Sequence, residues 1–368
     1  MANTPLKITQ DPFVPLNSLV LITGVNGLIA SHVADQVLAA GYRVRGSVRS
    51  KARCAWVESF FTARYGANRI EVVEVPDITA PGVWNAQVAG VSAVIAVAGC
   101  CWIADKDVAK GVNEELKCLY GLLHAAKTYT DTVKAFIYTS SSWAAYTPKV
   151  GVPVRTLTEE SWNHEAVALA ADKNVPDEGK VKGYTPFMAI KVKVEEAMWD
   201  WVAREKPKFT FNSILISTVI GPILDPGSQQ GSTAGLVRAL YNGGPKEAID
   251  FVEGLGSGPH IDARDSGRLY LGVLVSGLNA SRVYGFAGRL NWKQALDILK
   301  ELYPEKKDWL ELSTSYECDE YEIQSDIPLK LLRVVGQERW TSLRESIKDA
   351  AVGFVSTGQS SAETPRVD

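Results

Sequence analysis

Apolar residues along this chain fall into two alternating kinds of segment. Short runs such as 18–23 (SLVLIT) and 91–98 (VSAVIAVA) carry no charge and are rich in β-branched residues. Such runs predict strands buried on both faces of a sheet. Between them the spacing becomes helical. Ile29, Val33 and Val37 recur every fourth position after Leu28, and Gly41 closes that helix. The same reading predicts strands at 43–48, 70–75, 134–139 and 209–216, and helices at 51–65, 113–128 and 187–204. Strands alternating with helices in this way predict an α/β fold with a doubly wound parallel sheet of Rossmann type.

Beyond Ile220 the alternation stops. Residues 221–244 are rich in Gly, Pro, Ser and Gln and read as irregular. Helical patterns return at 263–275, 291–302 and 339–355, followed by a polar stretch. The pattern divides the chain into a sheet domain (1–219), a smaller mixed C-terminal lobe (220–355) whose chain crosses back to the sheet, and a flexible tail (356–368). A cleft between sheet and lobe is the expected ligand site.

Composition narrows the function. The chain is 46% hydrophobic and 22% charged, as in globular proteins, and its net charge of −3 gives no electrostatic case for nucleic acid or an anionic membrane. The longest near-apolar run, 91–103, is too short to cross a bilayer. The first fifteen residues show neither a basic start nor an apolar core, so a cytoplasmic protein is expected. Five cysteines without framework spacing and four scattered histidines argue against disulfides and against a metal site.

The chemistry concentrates after the first strand. Thr23-Gly24-Val25-Asn26-Gly27-Leu28-Ile29-Ala30 is a G-x-x-G-x-x-A turn between strand and helix. Gly24 suits the sharp turn, Gly27 a close approach to a pyrophosphate, and Ala30 tight helix–strand packing. The helix N-terminus then faces the phosphates. No acid stands between Asp35 and Glu58 to hold ribose hydroxyls; Arg45, Arg49, Lys51 and Arg53 occur instead. Arg49, just past the second strand, is placed for a bidentate grip on a 2′-phosphate, which favours NADP(H) over NAD. Asp77 is placed either to touch the adenine edge or to cap the turn after it. Cys100 and Cys101 read as pocket lining beside Trp102 or as small buried hydrophobes. Trp143 reads as pocket wall or core, and 231–233 as a loop folding over the cofactor or a linker. Asp265 reads as a cap or structural acid, and Lys306 with Lys307 as a solvated turn.

With these residues the chain resembles the extended short-chain dehydrogenase/reductases. Within them it is most similar to fungal NADPH-dependent aldehyde and ketone reductases, neighbours of the dihydroflavonol reductases. The resemblance runs from about Leu19 to Asp349. It is carried by TGVNGLIASH (23–32), SVRS (47–50), FIYTSSS (136–142), the helix at 187–204, IGPILDPGSQQGSTAG (220–235) and VYGFAGRLNW (283–292). It implies cofactor contacts from Thr23, Gly24, Asn26, Gly27, Leu28, Ile29, Arg49, Asp77, Ile78, Val97, Ala98, Thr139, Lys191, Ile216, Ser217, Val219 and Ser232. It implies substrate contacts from Cys101, Trp143, Phe187 and Thr233, a small-molecule carbonyl substrate that is a medium-sized, mostly apolar aldehyde or ketone, and a monomer or homodimer.

The family's reaction uses a Ser to hold the carbonyl oxygen, a Tyr to protonate it, and a Lys four residues after the Tyr to hold the nicotinamide ribose. Carried over, Ser141 and Lys191 match, but the tyrosine place holds Phe187. Ile190 replaces the usual small residue before the lysine. The family's proline near the nicotinamide is missing from Ile216-Ser217-Thr218-Val219. Phenylalanine donates no proton. Three readings stay open: a reductase trapped by an engineered substitution; a reductase with another acid, such as Tyr184, Tyr146 or an ordered water; or a non-redox cyclase, isomerase or dehydratase that keeps NADP(H) as a structural cofactor.

Overall fold

The uncharged run after Ser18 forms β1 (Leu19–Ile22), and the helical pattern after the glycine turn forms α1 (Leu28–Ala39). A computed structural model describes residues 6–100, 106–175, 183–229 and 231–355. The alternation continues through β2 (Arg43–Val48), α2 (Ala55–Tyr65), β3 (Ile70–Glu74), the one-turn α3 (Asn85–Val88), β4 (Ala93–Ala96), α4 (Val108–Thr128) and β5 (Ala135–Ser141). Next come β6 (Arg155–Leu157), α5 (His164–Ala171), α6 (Thr185–Glu205), β7 (Thr210–Ile216) and β8 (Thr218–Ile220). The C-terminal part adds α7 (Ser232–Asn242), α8 (Lys246–Leu255), β9 (Ser257–Asp262), α9 (Ala263–Ser276), β10 (Ser281–Gly285) and β11 (Gly288–Asn291). The described residues finish with α10 (Trp292–Leu302), β12 (Tyr321–Ile323), α11 (Ile327–Val334) and α12 (Leu343–Val355).

Seven strands make one sheet in the order β10-β7-β5-β4-β1-β2-β3, every neighbouring pair parallel. This is a Rossmann-type sheet. The chain reverses direction across it between β1 and β4, and there the strand ends open a crevice. Apolar side chains of α1, α2 and α9 fill one face, and those of α4 and α6 the other. A three-stranded mixed sheet, β11-β9-β8, and the cluster formed by α7, α8, α10 and α12 make the C-terminal lobe. The pair β12-β6 is a third, parallel sheet.

Several expectations shift for local physical reasons. The sheet has a seventh strand, β10, which the sequence reading missed. Helix α4 starts at Val108, not 113, because the Asp107 carboxylate accepts from the Lys110 amide at 3.0 Å and caps it. Helix α6 starts at Thr185, with Pro186 in its first turn. The stretch 221–244, read as irregular, contains α7; Gly231 (φ +81°) and Gly243 (φ +75°) are its caps, not loop filler. The last helix starts at Leu343, where Ser342 and Glu345 exchange hydrogen bonds in a capping box. Lys306 is no ordinary solvated residue: its ammonium sits 5.5 Å from the Tyr241 ring and 5.2 Å from the Trp309 ring.

Two features fix α6. Ile190 packs into a notch left by Gly111 on α4, where an added Cβ would meet Ile190 Cδ1 at 2.4 Å. The larger residue before the lysine is thus matched by a glycine across the helix pair. Glu195, fully buried, accepts from Ser140 on β5 (2.6 Å), Ser213 on β7 (2.6 Å) and Arg282 on β10 (2.9 Å). Arg282 in turn lies 3.7 Å from the Trp162 ring centroid.

Candidate active site

The dinucleotide side of the crevice is built from backbone. Gly24 adopts φ +67°, and a Cβ there would stand 3.1 Å from Ala98 Cβ. The turn therefore presses directly on the segment after β4. Thr23 locks that contact: its Oγ1 accepts from the Val97 and Ala98 amides, both at 2.9 Å. The Gly24 amide donates to Ser47 Oγ at 3.2 Å. Gly27 occupies the N-cap of α1 with no side chain over the helix end. Leu28 and Ile29 open the helix, so its first amides and positive dipole end face the crevice. This turn, closed so tightly that a Cβ at Gly24 would press on Ala98, fits the pyrophosphate of a nicotinamide dinucleotide.

One residue at this turn escaped the sequence reading. Gln229 Nε2 donates to the Asn26 carbonyl (2.9 Å) and to Ser31 Oγ (3.1 Å), and Gln229 Oε1 accepts from the Leu224 and Asp225 amides. His32 Nε2 donates to the Pro222 carbonyl at 2.8 Å. The segment after β8 is thereby clasped over the glycine turn. Only the resemblance of 220–235 pointed there; a lone Gln gives no signal.

The basic residues after β2 divide. Arg49 is exposed beyond the strand end, with no hydrogen bond or ion pair to a described residue. Arg45 is committed elsewhere, to Glu71 and to the Gln87 and Ala89 carbonyls. Asp77 acts as a turn cap: its carboxylate accepts from the Thr79 hydroxyl (2.6 Å) and amide (2.8 Å), which holds it below the usual carboxylate range. The Ile78 carbonyl accepts from Trp84 Nε1. Thr139 Oγ1 accepts from the Tyr270 hydroxyl at 2.8 Å, tying β5 to α9. Ser217 Oγ donates to the Gly285 carbonyl, and Thr233 Oγ1 to the Val219 carbonyl, both at 2.6 Å. Ser232 is the exposed first residue of α7, so 231–233 is a helix start and not a loop.

The other side of the crevice is built from side chains. A cavity of about 180 Å³ opens at the carboxyl end of β5. Ser141, Trp143, Tyr184, Phe187, Ile216, Ser217, Thr233, Phe251 and Trp292 line it, and no charged side chain does so among the described residues. The Ser141 hydroxyl accepts from the Trp143 amide at 3.2 Å. The Trp143 ring stacks on Tyr184 (centroids 5.8 Å, 16°) and meets Phe187 edge-on (5.9 Å, 83°). Tyr184 meets Phe251 at 5.5 Å, so the wall runs from the turn after β5, past the start of α6, to α8. Phe187 and Lys191 lie one turn apart on α6, with the ammonium 5.2 Å from the ring centroid.

Tyr184 stands immediately before α6, and burial raises its hydroxyl above the usual tyrosine range. Tyr146 is not available as an acid in this cavity. Its hydroxyl donates to Asp319 at 2.8 Å in a separate aromatic cluster, and burial raises it strongly. Asp265 is a structural acid that holds Arg268, Gln337 and Thr341. Cys100 packs on the core beside α4, while Cys101 and Trp102 lie outside the described residues.

The profile of the NAD dependent epimerase/dehydratase family matches residues 20–284, which take in the glycine turn, Ser141, Lys191 and all but the two outermost residues of the parallel sheet. The chain belongs to that family. Within this family it is an extended short-chain dehydrogenase/reductase, close to fungal aldehyde reductases and ketoreductases. It is 35% identical to the NAD-dependent epimerase/dehydratase terH of Aspergillus terreus, over 92% of this chain and 97% of that protein. It is 34% identical to aldehyde reductase 2 of Sporidiobolus salmonicolor, again over 92% and 97%. The fold matches that of yeast methylglyoxal/isovaleraldehyde reductase Gre2, solved with NADPH, at a TM-score of 0.73 and 22% identity over 92% of this chain and 99% of that one. The family member described here thus pairs a nicotinamide-dinucleotide cradle with an uncharged, aromatic-walled cavity.

Proposed function

We propose that this chain is an NADPH-dependent reductase of an uncharged aldehyde or ketone. The observation that carries the reading is the convergence of Ser141, Phe187 and the aromatic cavity beside the glycine cradle, with Lys191 one turn further along α6. The names of the fungal relatives support the reaction type, and the uncharged lining supports a neutral substrate. The exposed Arg49 supports the phosphorylated cofactor.

When bound, the reduced nicotinamide supplies a hydride. The residues of this chain divide the rest. Ser141 Oγ donates to the carbonyl oxygen, and Lys191 holds the ribose. Phe187 shapes the wall without offering a proton, although a positioned acid is worth about 10²–10⁴-fold. Among the described residues Tyr184 supplies the tyrosine hydroxyl of the cavity lining. A second reading, a non-redox enzyme that keeps NADP(H) as structure, is supported by the Phe187 ring one turn before Lys191, which the resemblance puts at the family's tyrosine place.

The deciding experiment is NADPH oxidation against a panel of neutral aldehydes and ketones, run on this protein, on Phe187→Tyr and on Tyr184→Phe. Turnover gained with Phe187→Tyr marks a reductase scaffold whose acid is absent. Turnover already present here and lost in Tyr184→Phe makes Tyr184 the acid. NADPH bound but consumed by none of the three overturns the reductase reading in favour of the non-redox one.

A further inference from the structure

Helix α4 turns Cys118, Leu119, Leu122 and Leu123 toward the sheet. Its buried face also carries a carboxylate, Glu115, only 3% exposed. Burying an ionised acid is unfavourable unless it is paired, and its two oxygens are paired with two different segments. Oε2 accepts from the Cys100 amide at 2.5 Å, in the segment after β4. Oε1 stands 3.4 Å from Lys191 Nζ on α6. Gly99 makes the room, since a Cβ there would come within 2.8 Å of Oε1. The segment held through Cys100 is the one whose Val97 and Ala98 amides are fixed by Thr23 against the glycine turn. A continuous line of contacts thus runs from the cofactor cradle through Glu115 to Lys191. The neighbouring Glu114 pairs with Lys117 on the solvent face.

We propose that Glu115 is a positioning residue, which aims the Lys191 ammonium at the ribose side of the crevice and ties that aim to the segment walling the cofactor. The proposal rests on the reading that Lys191 meets the nicotinamide ribose.

The test is a double-mutant cycle on NADPH affinity, read by fluorescence titration of the full chain, with melting temperature recorded for every variant. Lys191→Met is expected to weaken NADPH by about tenfold, and Glu115→Gln by a similar factor. Glu115→Asp, which keeps the charge, should fall between. In the Lys191→Met background Glu115→Gln should cost no further affinity. A merely structural acid would instead weaken binding equally in both backgrounds, and that additivity overturns the proposal. So does an unchanged affinity in a folded Glu115→Gln variant. Should Glu115→Gln fail to fold, Glu115→Asp carries the same cycle, with the same requirement that its loss vanish without Lys191. A wild-type chain that binds no NADPH, or a Lys191→Met variant that binds as tightly as wild type, overturns the cofactor reading and this proposal together.

Discussion

The two sides of the crevice are made of different material. The cofactor side is backbone: Gly24 and Gly27 leave space, and the end of α1 presents amides. The other side, proposed to take the substrate, is bulk: Trp143 just after β5, Tyr184 and Phe187 at the start of α6, Phe251 on α8 and Trp292 on α10 come together. A site made by leaving atoms out is spoiled by adding them. A site made of side chains is spoiled by taking them away.

The largest effect should follow from adding atoms to the first side. Gly24→Val places a branched Cβ at φ +67° against Ala98. Left-handed strain of about 1–2 kcal/mol, with overpacking of about 1–3 kcal/mol, should lower stability and weaken NADPH by about a hundredfold. Chemical denaturation and fluorescence titration measure both; an unchanged NADPH affinity would break the comparison.

Acid should act on the other side. Burial in the small sheet lowers His260 to about 4 from an ordinary value near 6.5. The unfolded chain therefore takes up the proton first, and stability present above pH 6.5 is lost as pH falls toward 4. The loss should reach about 3 kcal/mol. Denaturation midpoints across that window, compared with His260→Gln, measure it, and the variant should show a flatter profile.

Removing atoms from the aromatic wall comes next. Trp143→Ala strips the stack on Tyr184 and should raise KM for the carbonyl substrate by about tenfold. NADPH affinity should stay as it was. A parallel loss of both would mean that the two sides are not separate.

The smallest effect concerns one side chain on the cofactor side. Arg49→Glu should weaken NADPH by about fivefold and leave NADH nearly unaffected. Equal changes for both cofactors would remove Arg49 from the 2′-phosphate site.

The same contrast explains what could be read from the sequence. The cofactor side was legible because a glycine spacing between a strand and a helix is a local pattern. The parallel sheet was legible in all but β10, a short strand beyond the point where the alternation ends. The substrate side was not legible in the same way. Phe251 and Trp292 stand more than a hundred residues after Trp143 and join it only through the packing of the lobe. Residues 231–243 read as irregular because the glycines that cap α7 look like loop glycines. Glu115 was invisible for another reason. In the run Asn113-Glu114-Glu115 both acids look solvated, and only the fold turns one of them inward.

A helix resting on a smooth apolar face keeps some rotational play, since dispersion contacts change little over a few degrees. Helix α6 has lost that freedom. Glu195 is keyed into three strands at once through Ser140, Ser213 and Arg282. At 1.5 Å per residue the key sits about 12 Å along the axis from Phe187. The angular setting of Phe187 and Lys191 is therefore imposed from deep in the core, and a change at Arg282, which touches neither the cofactor cradle nor the cavity, would reach the crevice as a rotation.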